Sequence, residues 1–266
     1  MIEKLLKKFV LKCLLTPPNP STTQMNSIFS KTHFVIFSLL ISLQLVSCSH
    51  RPSSHLDEYR IGMQEPTLIA YSPVSKRHHA KKLIVIDAGH GGDDAGAEAT
   101  NYTEKHLNLA TARLLRVYLK QLGYSTAMTR DADFFVSLDK RASFANSKNP
   151  VLFVSLHYNS APNKKAEGIE VYYYHSEKDK KRTTQSKILA NSVLEKVIQA
   201  TSAKSRGIRA GNFAVIRETH MPAILVEGGF LTNEKEVKNI KDPVYLKKLA
   251  WGVAQGIAQY LSTHAG

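Results

Sequence analysis

The sequence predicts an α/β fold: a single domain whose twisted, mostly parallel sheet of about six strands lies between helical layers. Three observations predict it. Runs such as Leu83-Ile84-Val85-Ile86 and Val151-Leu152-Phe153-Val154 are apolar without polar interruption, as strands covered on both faces are. Stretches with the apolar spacing of helices lie between such runs. The two kinds of segment alternate along the chain without an internal repeat, which is the pattern of a parallel sheet built from strand–helix–strand units.

The chain has 266 residues, room for one domain plus extra segments. Residues 25–47 read as a complete export signal, with Met25 as the natural start. Lys31 and His33 lead an uncharged, mostly apolar run of 13 residues at 34–46, short for a bilayer span. The run ends Leu45-Val46-Ser47-Cys48. This resembles the lipobox of bacterial lipoproteins, in which the cysteine becomes the lipidated first residue. An ordinary signal peptide with an incidental cysteine, or an uncleaved anchor, are the competing readings. Residues 1–24, with Lys4, Lys7, Lys8 and Lys12, are an upstream extension or a longer cytoplasmic leader. The expected division is therefore 1–47 export signal, 48–82 lipid anchor and linker, and 83–262 catalytic domain. The linker is polar and aperiodic, with Pro52, Pro66 and Pro73, and its His78 and His79 read as solvated linker rather than ligands. The only other cysteine is Cys13, so a mature chain has no disulfide and its core carries the stability.

The formal net charge is +14. Residues 1–47 hold five lysines and one glutamate, which leaves 31 basic and 21 acidic residues, or +10, beyond them. A basic protein outside the cytoplasm suits an anionic polymer or a membrane surface. No helix-turn-helix or zinc-finger pattern accompanies the scattered charge, so nucleic acid is not an expected partner.

Within the domain, 83–87 is the first strand, followed by a Gly-rich turn. The first helix is 103–121, with Thr103 as N-cap, Gly123 as stop, and Leu107, Ala110, Thr111, Leu114, Val117, Tyr118 and Leu122 on its buried face. A strand at 124–129 and a short helix at 137–147 follow, then the buried strand 151–156. In 168–174, Ile169, Val171 and Tyr173 alternate with Glu170 and Tyr172, a half-buried strand. A helix spans 184–198. Strands are expected at 213–216 and 223–226. The last helix, 243–261, begins at Pro243, which suits a first turn, and buries Leu246, Leu249, Val253, Ile257 and Leu261.

Four residues form a constellation. His90 follows the first strand in Asp87-Ala88-Gly89-His90-Gly91-Gly92, Glu104 opens the first helix, His157 follows Ser155-Leu156, and Glu227 follows Ala223-Ile224-Leu225-Val226. The three strand-end residues share one edge of a parallel sheet, where α/β folds bind ligands. Two histidines and a carboxylate fill three positions of a tetrahedral zinc site and leave the fourth for a water whose pKa drops to about 7. A second carboxylate can move that water's proton to a leaving nitrogen. Asp93 and Asp94 argue against an anion in the Gly-rich turn. His106, His175 and His220 are not expected to be ligands. Glu170 and Glu218 read as surface and Glu167 as a loop residue. Ser137-Leu138-Asp139-Lys140 and Ser147-Lys148-Asn149 spell two motifs of penicillin-interacting serine enzymes, but no Lys-Thr-Gly completes them, and Ser137 reads better as an N-cap.

Residues 83–262 resemble the zinc-dependent N-acetylmuramoyl-L-alanine amidases of the bacterial cell wall, the type 3 catalytic domain. The matching blocks are 86–92 with Asp94 and Gly96-Ala97, Thr103-Glu104-Lys105, Thr129-Arg130, Leu138 and Arg141 with Ala145-Asn146, 155–159, Glu167-Gly168, and 222–233. The resemblance implies that His90, Glu104 and His157 hold zinc and that Glu227 is the catalytic acid/base. Tyr158, where many members carry a smaller residue, departs from the pattern and is expected to affect the rim. Peptidoglycan is the implied substrate and the cell-division machinery a candidate partner, while the lipobox-like Cys48 followed by Ser49 points to a lipid-anchored periplasmic position at the outer membrane. Some relatives bury the site under an inserted helix until an activator displaces it. Here the one helix expected between Tyr174 and Phe213 is needed to cover the sheet, so no obligate activator is expected. The same metal centre would also serve a peptidase cutting within the stem peptide, and a catalytically idle wall-binding lipoprotein is the remaining alternative.

Overall fold

The computed structural model describes residues 82–99 and 102–264. The export signal, Cys48, the linker and His78 and His79 lie outside the described residues. Among those described, strand β1 is Leu83–Ala88, and β2, Glu98–Ala99, pairs with β3, Tyr102–Thr103, in a small antiparallel ribbon. Helix α1 is Glu104–Gln121 and β4 is Ser125–Met128. Then come α2, Leu138–Lys148, β5, Leu152–Asn159, and β6, Ile169–Tyr173. Helix α3, Lys180–Thr201, and β7, Ser205–Ala210, follow. The chain closes with α4, Ala214–Arg217, β8, Ala223–Phe230, α5, Glu234–Ile240, and α6, Pro243–His264. None of these helices is long and apolar enough to cross a membrane.

The main sheet has six strands in the order β4-β1-β5-β8-β6-β7. Every neighbouring pair is parallel except β8 and β6, which run antiparallel. Side chains alternate between the two faces. On one face Val85, Phe153, Ala223 and Leu225 pack with Ala145 of α2 and with Val215 and Ile216 of α4. On the other, α1 and α3 lie against the sheet, and α6 packs against both of them. The β1, β5 and β8 runs are buried because helices cover both sides, which is why no polar residue interrupts them early.

The structure departs from the sequence reading at several points. Residues 213–216 are not a strand: Ala214–Arg217 is a single helical turn whose consecutive Val215 and Ile216 are both buried. The strand in this region is β7 instead. Its Ser-Arg-Gly-Ile-Arg-Ala sequence has no apolar run because it forms the sheet edge, where one side meets solvent. Helix α1 buries Leu107, Thr111, Leu115 and Leu119, a stripe at four-residue spacing, and leaves Val117 exposed. Helix α3 is longer than expected at both ends. Thr103 and Ser137 occupy N-cap positions, but neither side chain makes a cap bond. Thr103 Oγ1 instead lies 2.6 Å from His106 Nδ1.

Candidate metal centre

The Gly-rich turn folds back on itself. Gly91 N–H donates to Asp94 O at 2.9 Å and Asp94 N–H to Gly91 O at 3.2 Å. This places His90 at φ +60°, a left-handed conformation that costs a non-glycine residue energy. The surrounding contacts hold it there. His90 Nδ1 lies 2.8 Å from Asp94 Oδ2, which orients the ring and leaves Nε2 at 3.1 Å from Glu104 Oε2.

Glu104 is the first residue of α1, where the helix dipole favours an anion. It is 4% exposed. Its Oε2 accepts the Ala97 N–H at 2.9 Å, and its Oε1 accepts from Asn108 Nδ2 and Tyr158 N–H, both at 3.2 Å. His157 Nδ1 lies 2.8 Å from the same Oε1. Burial works against this charge, but His157 and His90 outweigh it and hold the carboxyl well below its usual range. Burial likewise opposes a charged His90, yet Glu104 and Asp94 raise its pKa. Gly89 admits the second imidazole: a Cβ there would sit 2.2 Å from the His157 ring.

The ligand atoms of His90, Glu104 and His157 lie within 4.8 Å of one another. Two imidazoles and one carboxylate are a donor set that suits zinc and leave a coordination position open. The three residues expected from the sequence are therefore brought together, and the fit to a metal ion is good. Glu227 is beside them. It pairs with His157 across β5 and β8 and with Glu170 across β8 and β6. It is 8% exposed, and its Oε2 has no hydrogen-bond partner among the described residues. Burial first, then Glu104 and Glu170, push its carboxyl well above the ordinary range. A carboxyl poised to exchange a proton, with one oxygen free, fits acid–base work better than charge pairing. Both His157 and Glu227 lie inside their strands rather than at the ends, because β5 and β8 run on to Asn159 and Phe230.

A supporting layer was not legible as function in the sequence. Buried Asp87 accepts from Thr129 Oγ1, Arg141 Nη1 and Ser155 Oγ at 2.6, 2.8 and 2.7 Å. Arg141 also donates to the carbonyls of Ala88 and His90 at 2.6 and 2.7 Å. Buried Arg130 donates to Ala88 O at 2.9 Å and to Gly89 O at 2.7 Å. Burial, with Arg141 nearby, pulls the Arg130 guanidinium down to about 10. Two arginines thus grip consecutive carbonyls of the loop that presents His90. Their only sequence signal was their place in the family-like blocks.

The other candidates fall outside the cluster. His106 engages Thr103 and lies 3.5 Å from Asp133. His175 pairs with Glu177 at the surface, and His220 is exposed. Glu218 is exposed and Glu167 is in a loop, as expected. Glu170, expected at the surface, is instead 3% exposed, because β7 covers it with two arginines. Lys140 is exposed, on the outer side of α2.

Comparison with known proteins agrees with this geometry. The N-acetylmuramoyl-L-alanine amidase family model matches residues 84–259. The chain is 36% identical over 182 residues to the endolysin of Bacillus phage SPP1, spanning 68% of this chain and 66% of the endolysin's length. A crystal structure of an N-acetylmuramoyl-L-alanine amidase from Clostridium difficile 630 superposes with TM-score 0.66 at 37% identity, covering 69% of this chain and 98% of that one. The catalytic domain of CwlV, an N-acetylmuramoyl-L-alanine amidase from Bacillus (Paenibacillus) polymyxa, gives TM-score 0.63 at 40% identity over 68% of this chain and 98% of that one. The matched span begins in β1 and ends in α6, taking in every residue of the His–Glu–His cluster and Glu227, and on that ground the chain belongs to the N-acetylmuramoyl-L-alanine amidase family.

Proposed function

We propose that the protein is a zinc-dependent peptidoglycan amidase that hydrolyses the amide between the lactyl group of N-acetylmuramic acid and the L-alanine of the stem peptide. The observation that carries this reading is the convergence of His90, Glu104 and His157 beside a buried Glu227 carboxyl whose Oε2 has no hydrogen-bond partner among the described residues. His90, Glu104 and His157 would hold the ion. When bound, zinc supplies a Lewis acid for the carbonyl and a water acidic enough to ionise near neutral pH. Glu227 would accept a proton from the attacking water and pass it to the leaving nitrogen, a transfer helped by a carboxyl whose affinity for protons burial has raised. Asp94 keeps the His90 ring in the tautomer that offers Nε2 to the site.

The cluster is open to solvent: the His90 and His157 side chains are 24% and 18% exposed. Helix α3 lies against α6 and the sheet rather than over the cluster. We therefore infer activity with zinc alone, without an activator. Export, lipidation at Cys48 and placement at the outer membrane complete the reading, and they rest on the 25–48 sequence.

Glu227→Gln tests the chemistry. The variant should bind zinc as the unaltered protein does, while turnover of peptidoglycan falls by about 10²–10⁴, the contribution of a general acid–base group. Near-normal turnover by a folded, zinc-loaded variant would remove Glu227 from the mechanism.

A further inference from the structure

Glu170 is a buried carboxylate whose charge helps raise Glu227 but which holds no proton or ligand in the chemistry above. It lies across from Glu227 in the antiparallel β6–β8 pair. Two arginines of the edge strand β7 converge on its Oε2, Arg206 Nε at 3.0 Å and Arg209 Nε at 3.1 Å. Asn159 Nδ2 and Tyr172 OH donate to its Oε1 at 2.8 and 2.9 Å. One carboxylate thus faces two guanidinium groups, which leaves a surplus positive charge next to the strand that carries Glu227.

The two arginines are not equivalent. Arg206 lies over the Phe230 ring, 4.8 Å from its centroid, and its Nη1 reaches Glu167 O at 3.4 Å. Packing and hydrogen bonds account for it. The Arg209 side chain is 51% exposed. It commits Nε to Glu170, and its two terminal amino groups make no hydrogen bond to the described residues. An arginine anchored through Nε keeps the paired donors that match a carboxylate.

We propose that Arg209, fixed in place by Glu170, binds a free carboxylate on the peptide arm of the substrate. The proposal rests on the amidase reading. Arg209 and Glu227 both border Glu170, so a carboxylate held by Arg209 lies near the scissile amide. An enzyme so built prefers a stem peptide with a free carboxylate near that amide to one in which it is a carboxamide, which carries no charge for the guanidinium.

Two muramoyl peptides differing only in that group test the proposal, with two measurements on the zinc-loaded protein. The unaltered enzyme should favour the carboxylate form in kcat/KM by about tenfold, the size of one partly exposed charge-assisted contact. In Arg209→Ala that ratio should fall close to one, through KM rather than kcat, and Arg209→Lys should recover part of it. Calorimetry with the two released peptides should show the same discrimination in the unaltered protein and its loss in Arg209→Ala. An unchanged ratio in folded Arg209→Ala would overturn the carboxylate site and leave the amidase reading standing. If the unaltered enzyme cleaved neither substrate yet still distinguished the two peptides through Arg209, the amidase reading would fall and the carboxylate site would stand.

Discussion

Arg141→Ala should unfold the support beneath the metal site before it touches any ligand. Arg141 is 3% exposed and pairs with a fully buried Asp87 at 2.8 Å. The substitution deletes that pair and three further bonds, to the carbonyls of Val136, Ala88 and His90. Asp87 would keep Thr129 and Ser155 as donors but lose its counter-charge. Removing one partner of a buried ion pair costs about 3–5 kcal/mol, a large part of the roughly 5–15 kcal/mol that holds a domain together. With an m-value of about 2 kcal/mol/M, the urea midpoint should drop by about 1.5–2.5 M. Unfolding followed by fluorescence of Trp251, the single tryptophan, in the presence of a chelator measures this without a contribution from bound metal. The sign of the pH dependence is also set. In the unaltered protein burial pushes Asp87 up, but Arg141 and the hydrogen bonds outweigh it and lower its pKa below 3.8. Its contribution is therefore complete above the unfolded value and is lost as pH falls through the folded one. Without Arg141 the burial penalty is opposed only by the Thr129 and Ser155 hydrogen bonds and the more distant Arg130, so the carboxyl moves up and protonation relieves it. The deficit of the variant should narrow as pH falls from about 7 to about 5. A loss under about 1 kcal/mol at neutral pH, or a deficit that widens on acidification, would refute this account of Asp87 and Arg141.

Other substitutions probe neighbouring parts. Gly96→Ala forces an alanine to φ +68° with its Cβ 2.6 Å from both Glu104 Oε2 and His90 Cδ2, so zinc affinity measured by competition with a chromophoric chelator should fall at least about tenfold with circular dichroism unchanged. Tyr158→Phe removes the 2.7 Å contact with Thr111, whose hydroxyl keeps its 2.8 Å bond to Leu107 O, so denaturation should show a loss of about 0.5–1.5 kcal/mol, while zinc content stays the same. Cys48→Ala should yield unprocessed or soluble protein; unchanged membrane partition and mass would count against lipidation.

The strands and the candidate metal ligands were legible to different degrees, for physical reasons. Strands β1, β5 and β8 announce themselves because burial on both faces demands unbroken apolar runs. Edge strand β7 has no such demand, and Ser205-Arg206-Gly207-Ile208-Arg209-Ala210 reads as loop until its pairing with β6 is seen. Alternation in β6 put Glu170 opposite the apolar residues, which was right about the face and wrong about exposure: the arginines that cover it come from β7, thirty-odd residues later in the chain. His90, Glu104, His157 and Glu227 are separated by long stretches, so no local spacing ties them together. Their position near strand ends and at a helix start suggested convergence, and the family-like blocks turned that suggestion into a definite ligand set. The arginine grip on the Ala88, Gly89 and His90 carbonyls depends on three-dimensional reach alone, and no periodicity encodes it.

Mass spectrometry of the fragments released from purified peptidoglycan tests the central claim most directly. The zinc-loaded protein, without any partner, should release intact stem peptides with a free alanine amino terminus and leave glycan bearing free lactyl carboxylates. A chelator should abolish the release and added zinc restore it. Peptides cut within the stem, or release that persists undiminished with chelator, would contradict the account.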